Sequence, residues 1–519
     1  MRKLFAALLC CSAVTAFAQQ HPRDGEIHDA DTKAWWHTTE LLSSDAMEGR
    51  DTGSAAYQRA AEYVAKRFFE VGLKPAGEEG GYFQTVPMRQ VSVDSLRSTV
   101  AVRFGDKSQK LEFLQEVTTS VPDAPVADAV GDLVFRGYCG KDAMQGVEGK
   151  VVLCFGTQRA GLPSGAERAM NARAGGAVAM VNVDDPYFTI EPPRWPYAYA
   201  RSVTLRDGEL RQRDEKPFLV LRCSKEAIAK MLADTGHDPA EMLKAGGAKQ
   251  PLENFDLPGR SLRVHLQTTA KEISSPNVLA VLPGSDKPGS DKKLKDEYVV
   301  VAAHLDGYGF GTPVKGDNLY NGALDDAAYV ALLLQYADDV KAGRLPRPKR
   351  SVLIAVFTGE EKGLLGSTWF VEHPTVPKEK LVADINLDQL RPLFPLKILT
   401  VPGIDLTSLG QTAREVAAKQ HIELREDREP ERGLLRRADN WPFLRAGIPA
   451  IGFVFGFDNG TEAERRYREW YEVRYHRPQD DVTQPVDFDA ASDFNEFFYR
   501  LTDAVADLQQ RPVVYPRKD

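Results

Sequence analysis

Residues 299–330, VVVAAHLDGYGFGTPVKGDNLYNGALDDAAYV, decide how this chain is read. Val299 to Ala303 is a short, continuous apolar run, the pattern of a strand buried on both faces in a parallel sheet. The run delivers His304 at its carboxyl end, where open α/β sheets place their ligands. A Gly-rich loop follows, and Tyr320-Asn321-Gly322 is turn chemistry. Asp325-Asp326 then opens an apolar helical pattern, where a carboxylate suits the positive end of the helix macrodipole. Over these residues alone, a partly exposed histidine and a helix-capping aspartate would look the same. The downstream sequence separates the two readings.

From Pro276 on, strand-like and helical runs alternate: NVLAVLPG, EYVVVAAHLD, a helix after Asp326, SVLIAVFTGEE, a helix near 367–371, LVADINLDQL and a helix near 407–420. A charged loop, 426–437, leads to IPAIGFVFG, to a second charged loop holding His476, and to a closing amphipathic helix, 490–508. This alternation predicts an α/β fold, a mostly parallel sheet flanked by helices. Two more strand ends in it carry acids, and a third leads to a histidine. SVLIAVFT runs into Glu360-Glu361, LVADINL ends on Asp388, and His476 follows the last strand. Each acid alone is better read as a solvated loop charge. Together they converge where parallel strands emit their loops.

Upstream, apolar residues in 34–73 recur at three and four positions, predicting two amphipathic helices around the loop DAMEGRDTGS, with Trp35, Trp36 and Phe68-Phe69 in the core. Gly72 and Pro75 stop the second helix. From about 84 to 270, short β-rich runs such as TVAVRF, GDLVFRGY, KVVLCF, AVAMVNV and FLVLRC alternate with turns and a helix near 165–174. They predict an inserted, β-rich or mixed domain, with 191–216, rich in proline and charge, as a surface excursion. His237 and His265 have no carboxylates at ligand spacing there. The expected division is 1–18 signal, 28–115 and 271–511 the main domain, and 116–270 the insertion.

The 519 residues allow two or three domains, and 43% hydrophobic with 27% charged residues is ordinary for a globular protein. Arg2-Lys3, an apolar run from Leu4 to Phe17 and Ala16-Phe17-Ala18 fit a secretory signal cleaved after Ala18, so the expected location is periplasmic or secreted. The run is shorter than the roughly 20 residues of a membrane span, and no other stretch qualifies. A net charge of -8, or -10 without Arg2 and Lys3, argues against nucleic acid as a partner. Cys139, Cys154 and Cys223 remain after cleavage, enough for one bridge and requiring none. Any metal must therefore be held by histidine and carboxylate.

Packing Asp325, Glu361 and Asp388 into one pocket costs several kcal/mol unless cations neutralise them. Two divalent ions bring four positive charges, and a bridging hydroxide then balances the cluster. His and carboxylate ligands suit zinc, with manganese or cobalt as alternatives.

His304-Leu305-Asp306, Asn321 to Asp326, Glu360-Glu361, Asp388 and His476 resemble, in order and context, the co-catalytic zinc peptidases of the aminopeptidase and glutamate carboxypeptidase family, clan MH. SSDAMEGRDTG resembles that family's N-terminal segment, and GVEGKVVLCF with ARAGGAVAMVNVDDP resembles its inserted protease-associated domain. The resemblance implies one zinc on His304 and Asp388, a second on Glu361 and His476, Asp325 bridging, Glu360 as general base, and Asp306 fixing the His304 tautomer. It also implies a cis Asp325-Asp326 peptide. The chain departs from the family in having Asp326-Ala327-Ala328-Tyr329 for Asn-Ala-Ser-Gly, which puts the helix packing at Tyr329 in question, and Asp439-Asn440 for Asp-His. Peptides are the implied substrates and an aminopeptidase the implied enzyme. A carboxypeptidase or dipeptidase needs a cation for the substrate carboxylate, for which Arg436, Arg437 and Arg477 are candidates. A glutaminyl cyclase-like enzyme uses one metal, and a non-catalytic binding protein needs no ligands.

Overall fold

The computed structural model describes residues 21–206, 217–285 and 292–516. The expected secretory segment, 1–18, lies outside them, as do residues 207–216. Strands Ala450–Gly452, Leu381–Asn386, Tyr298–His304 and Ser351–Phe357 lie side by side and parallel, flanked by helices as the alternating runs predict. Every residue of Leu381–Asn386 and Ser351–Phe357 is buried, which is why these strands read as unbroken apolar runs rather than alternating ones.

One 29-residue strand, Asn254–Leu282, joins two sheet regions. Its later half pairs antiparallel with Ser351–Phe357 and Phe83–Val93, and its earlier half with Val126–Arg136 and Thr99–Phe104. Beyond it, Val126–Arg136, Val151–Gly156, Ala179–Asp184 and Leu219–Cys223 form a second parallel set with its own core of Leu133, Leu153, Val181 and Leu221. Helices Gly165–Ala174 and Lys225–Leu232 pack on this set. Cys139 and Cys154 are bridged, and Cys223 is buried.

On one face of the first sheet lie Ala30–Leu42, Ala55–Val71, Ala328–Ala342 and Phe488–Asp507. Trp35, Trp36, Tyr57 and Phe68 are fully buried among them, whereas Phe69 is 73% exposed. Adjacent positions on a helix point about 100° apart, so only one of the Phe68-Phe69 pair reaches the core. Ala55–Val71 starts at Ser54, which accepts from the Tyr57 amide, and stops at Gly72, whose φ of 73° allows the left-handed turn. The other face carries Leu365–Glu372 and Asn440–Arg445 around Phe370 and Phe443.

Two further expectations fail. The loop expected before His476 contains a helix, Glu462–Val473, which buries Tyr467, Trp470 and Tyr471 at three- and four-residue spacing. Its signal was present: Thr461 accepts from the Glu464 amide, and Arg465 with Glu469 and Arg466 with Glu462 pair one turn apart. The charged surface hid the narrow aromatic stripe. Residues 191–206 are no surface excursion either. They lie half-buried, with Arg201 on Asp51, Glu191 on Arg437, and Arg477 on the Trp195 and Pro196 carbonyls. Charge and proline mark this stretch as polar, but its charges are consumed by partners that are remote in sequence.

Asp31 receives hydrogen bonds from Gln335 and Tyr499, 2.7 and 3.0 Å long, at the junction of three helices. Burial, together with the neighbouring Asp339 carboxylate, pushes Asp31 up to about 7. An acid whose pKa is raised on folding stabilises the fold below its unfolded value, and that contribution disappears as pH rises through the folded value. Asp31→Asn keeps both partners without the charge. Its Tm is expected to match wild type near pH 4 and to exceed it increasingly up to about pH 7, then level off, in thermal melts across that range.

Candidate metal centre

The strands bring the predicted residues to one edge. His304 is the last residue of Tyr298–His304 and stands in register with Phe357, the last of Ser351–Phe357, so the turn carrying Glu360-Glu361 leaves the sheet beside it. Ala302 pairs with Asn386, so Asp388 leaves from the same end on the other side. The Asp325-Asp326 peptide is cis, and Gly322 ahead of it has a φ of 63°. A Cβ on Gly322 would lie 2.4 Å from the Asp325 carbonyl oxygen, so glycine is required there. His476 arrives on the turn after Glu462–Val473.

Asp325 faces both histidines. Its Oδ1 is 3.5 Å from His304 Nε2, and its Oδ2 is 3.4 Å from His476 Nε2, which is also 3.2 Å from Glu361 Oε2. The donor atoms of His304, Asp325 and Asp388 lie within 4.8 Å of one another, and so do those of Asp325, Glu361 and His476. A tetrahedral zinc with bonds of ~2.0–2.1 Å separates its ligands by roughly 3.3 Å. The contacts match that spacing. His304 Nε2 and Asp325 Oδ2 are buried without a hydrogen-bond partner, a state rarely left uncompensated in a folded protein. Nitrogen and carboxylate donors in two groups sharing one acid fit a pair of divalent ions.

The electrostatics are those of a site short of positive charge. Burial, with Asp325 and Glu361 nearby and His304 opposing, pushes Asp388 up to about 6. Burial likewise raises Glu360 well above the usual carboxylate range, with Asp388 and Glu361 adding to it against His304. Asp325 is the exception: burial opposes its charge, yet Arg391 and the two imidazoles hold it well below the usual range. Arg391 Nη2 stands 3.3 Å from Asp325 Oδ1, while its Nη1 donates to the Leu324 and Leu390 carbonyls.

Residues 277–502 match Peptidase family M28. Over this stretch, less than half of the chain, the sequence is similar to the M28 peptidases. Among curated relatives, the Glutamate carboxypeptidase 2 homolog of Caenorhabditis elegans is 26% identical over 198 residues, 37% of this chain and 22% of that protein. A probable zinc metalloprotease of Pyrenophora teres f. teres (strain 0-1) is 27% identical over 226 residues, 42% of this chain and 45% of that protein. The matches thus span from a fifth to under half of those relatives. An aminopeptidase structure from Aneurinibacillus sp. strain AM-1 superposes with a TM-score of 0.60 over 94% of this chain and 96% of that one, at 18% identity. A zinc aminopeptidase from Bacillus subtilis gives 0.55 over 91% and 94%, also at 18%. At such identity the shared feature is the fold, and it extends over both sheet regions.

The second layer around the donors differs from expectation. His304 Nδ1 meets the Asp306 main-chain oxygen at 2.9 Å, and the Asp306 carboxylate stands farther off at 3.8 Å. The turn after the strand folds the carbonyl back onto the ring, leaving the carboxylate for other partners. Its oxygens accept from the Glu360 amide at 3.0 Å and the Thr52 hydroxyl at 2.8 Å, so Asp306 fixes the Glu360 turn. Asp326 caps no helix; it accepts from the His304 amide at 3.1 Å. Tyr329 is accommodated in the core, donating to the Leu390 carbonyl. Asp439 is buried and bonded to Ser367.

Sequence reasoning missed Arg391, Asp480 and Arg50. Asp480 accepts from the Leu324 amide at 3.0 Å and holds the turn before Asp325. Arg50 is wholly buried and donates to four carbonyls, Leu42, Leu305, Asn321 and Gly322, at 2.6 to 2.9 Å. It thereby ties the loop after His304 to the loop before Asp325. A lone arginine in a polar loop carries no local signal of that role. Burial draws its pKa down to about 10, which leaves it charged at neutral pH. Arg50→Ala strands these carbonyls without donors and is expected to cost on the order of 4 kcal/mol in urea unfolding, given ~1–3 kcal/mol for each buried group left unpaired.

Proposed function

We propose that this chain is a zinc-dependent exopeptidase, an aminopeptidase that removes N-terminal residues from peptides. The observation that carries the reading is Asp325 presenting one oxygen to each of two donor groups, with Glu360 beside them. His304 and Asp388 would hold one ion, Glu361 and His476 the other, and Asp325 both. Two zinc ions there would polarise the scissile carbonyl and lower the pKa of bound water. Glu360, 3.8 Å from His304 Nε2 and kept basic by burial, takes the proton from the attacking water and hands it to the leaving amine. The Asp306 carboxylate holds the Glu360 backbone in place for that transfer.

An aminopeptidase needs an acceptor for the substrate ammonium. Asp480 has a buried, unpartnered Oδ2 and lines the same small cavity, about 10 Å³, as Asp325, Glu361 and His476. The cations considered for a carboxypeptidase are engaged elsewhere: Arg437 with Glu191, Arg477 with two carbonyls, Arg436 over Trp441. Arg194, from the inserted segment, lies over the Tyr475 ring next to His476, 4.7 Å from its centroid, but it too is engaged, 3.3 Å from Glu191, and would have to turn from that partner to meet a substrate carboxylate.

The N-terminal residues support export through a cleaved signal to the periplasm or beyond, and the Cys139–Cys154 bridge suits an oxidising compartment. Among the described residues no helix is long and apolar enough to cross a membrane. The segment 116–270 fits a protease-associated-like insertion whose arm walls the site. Glu360→Gln should lower turnover by ~10²–10⁴-fold with zinc content by metal analysis unchanged; unchanged turnover refutes the assignment. With N-acetylated and C-amidated forms of one peptide, the aminopeptidase reading expects cleavage of the amidated form alone. Cleavage of only the acetylated form, with KM raised by Arg194→Ala, supports the carboxypeptidase instead.

A further inference from the structure

The two imidazoles are anchored by different kinds of group. His304 ends a strand, and its Nδ1 is held by a main-chain oxygen that no side-chain change removes. His476 sits on a turn, and its Nδ1 meets the Tyr308 hydroxyl at 2.8 Å. An imidazole that gives its Nε2 lone pair to a cation carries its proton on Nδ1, so His476 donates to the Tyr308 oxygen. The two rings also lie 4.5 Å apart, tilted by 37°.

Tyr308 is itself clamped. Its ring stacks on Tyr199 at 5.5 Å and on Tyr320 at 5.9 Å. Lys362 lies 4.9 Å from the Tyr308 centroid and donates to the Tyr199 hydroxyl at 2.7 Å. Tyr199 comes from the inserted segment, and two residues later Arg201 grips Asp51 with both terminal nitrogens, at 2.6 and 2.7 Å. The arm is thus fastened at the point where it presses on Tyr308.

We propose that Tyr308, clamped by Tyr199 of the inserted arm, is the positioning residue for His476, so that the arm sets how tightly the ion at His476 and Glu361 is held. This rests on the dizinc reading above. A ligand whose outer partner is lost typically forfeits 10–100-fold in metal affinity. The effect falls on one ion because the His304 anchor is backbone.

The test is competition of the zinc-loaded full chain with a chelator, reading zinc retained per chain. Tyr308→Phe should release one of two ions at a roughly 10–100-fold lower chelator concentration and keep the other at the wild-type value. Tyr199→Ala should shift the same ion in the same direction by a smaller factor. Tyr82→Phe, which loses a hydrogen bond to the remote Leu73 carbonyl, should match wild type. Two ions at wild-type affinity in Tyr308→Phe overturns the proposal, and so does parallel loss of both ions, which would mark general loosening. If Tyr308→Phe does not fold, Tyr199→Ala decides: earlier release of one ion supports the coupling, and an unchanged titration overturns it. A wild-type chain holding fewer than two ions overturns the dizinc reading and this inference with it, and is seen before any variant is made.

Discussion

Asp325 can offer one oxygen to each side only because its backbone is immobilised in an unusual turn. Gly322 turns left-handed, and three groups hold the segment from outside: Arg50 on the Asn321 and Gly322 carbonyls, Asp480 on the Leu324 amide, and Arg391 on the Leu324 carbonyl. Those three come from the N-terminal loop, the turn after His476, and the loop after Asp388. Every other part of the centre is therefore tied, directly or through one partner, to the placement of a single carboxylate.

The same arrangement sets the charge balance. Asp325, Asp326, Glu360, Glu361, Asp388 and Asp480 crowd one end of the sheet, and Arg391 and Arg50 are the buried guanidinium groups among them. Arg50 spends its donors on carbonyls and orders loops, whereas Arg391 does so through Nη1 alone and turns Nη2 toward Asp325, whose charge it favours. Burial then forces most of the carboxylates toward their neutral form unless other cations enter. A site built this way would bind divalent metal in competition with protons, its acids gaining stabilisation from the ions.

The second sheet region is joined to this centre through the long strand Asn254–Leu282 and through the arm 191–206. Arg201, Glu191, Tyr199 and the Trp195 and Pro196 carbonyls meet Asp51, Arg437, Lys362 and Arg477. Within the arm, charge and proline that would otherwise suit solvent serve as fastenings. The helix Glu462–Val473 shows the same ambiguity: its exposed Glu and Arg dominate the composition, while Tyr467, Trp470 and Tyr471 do the packing.

The chain's local patterns by themselves determined the alternating strands and helices, the parallel sheet, and the set His304, Asp325, Glu360, Glu361, Asp388 and His476. They could do so because strand ends in a parallel sheet must share one edge, so order along the chain implies nearness in space. The stop at Gly72 was legible from local sequence too. Only the tertiary structure decided what holds the donors. Whether Asp306 meets His304 through its carboxylate or its carbonyl depends on a turn's dihedral angles. Whether Arg50, Arg391, Asp480, Tyr308 and Tyr199 serve the site depends on contacts between segments tens to hundreds of residues apart. Such pairings carry no periodicity and no spacing rule, so they become visible only when the chain has folded.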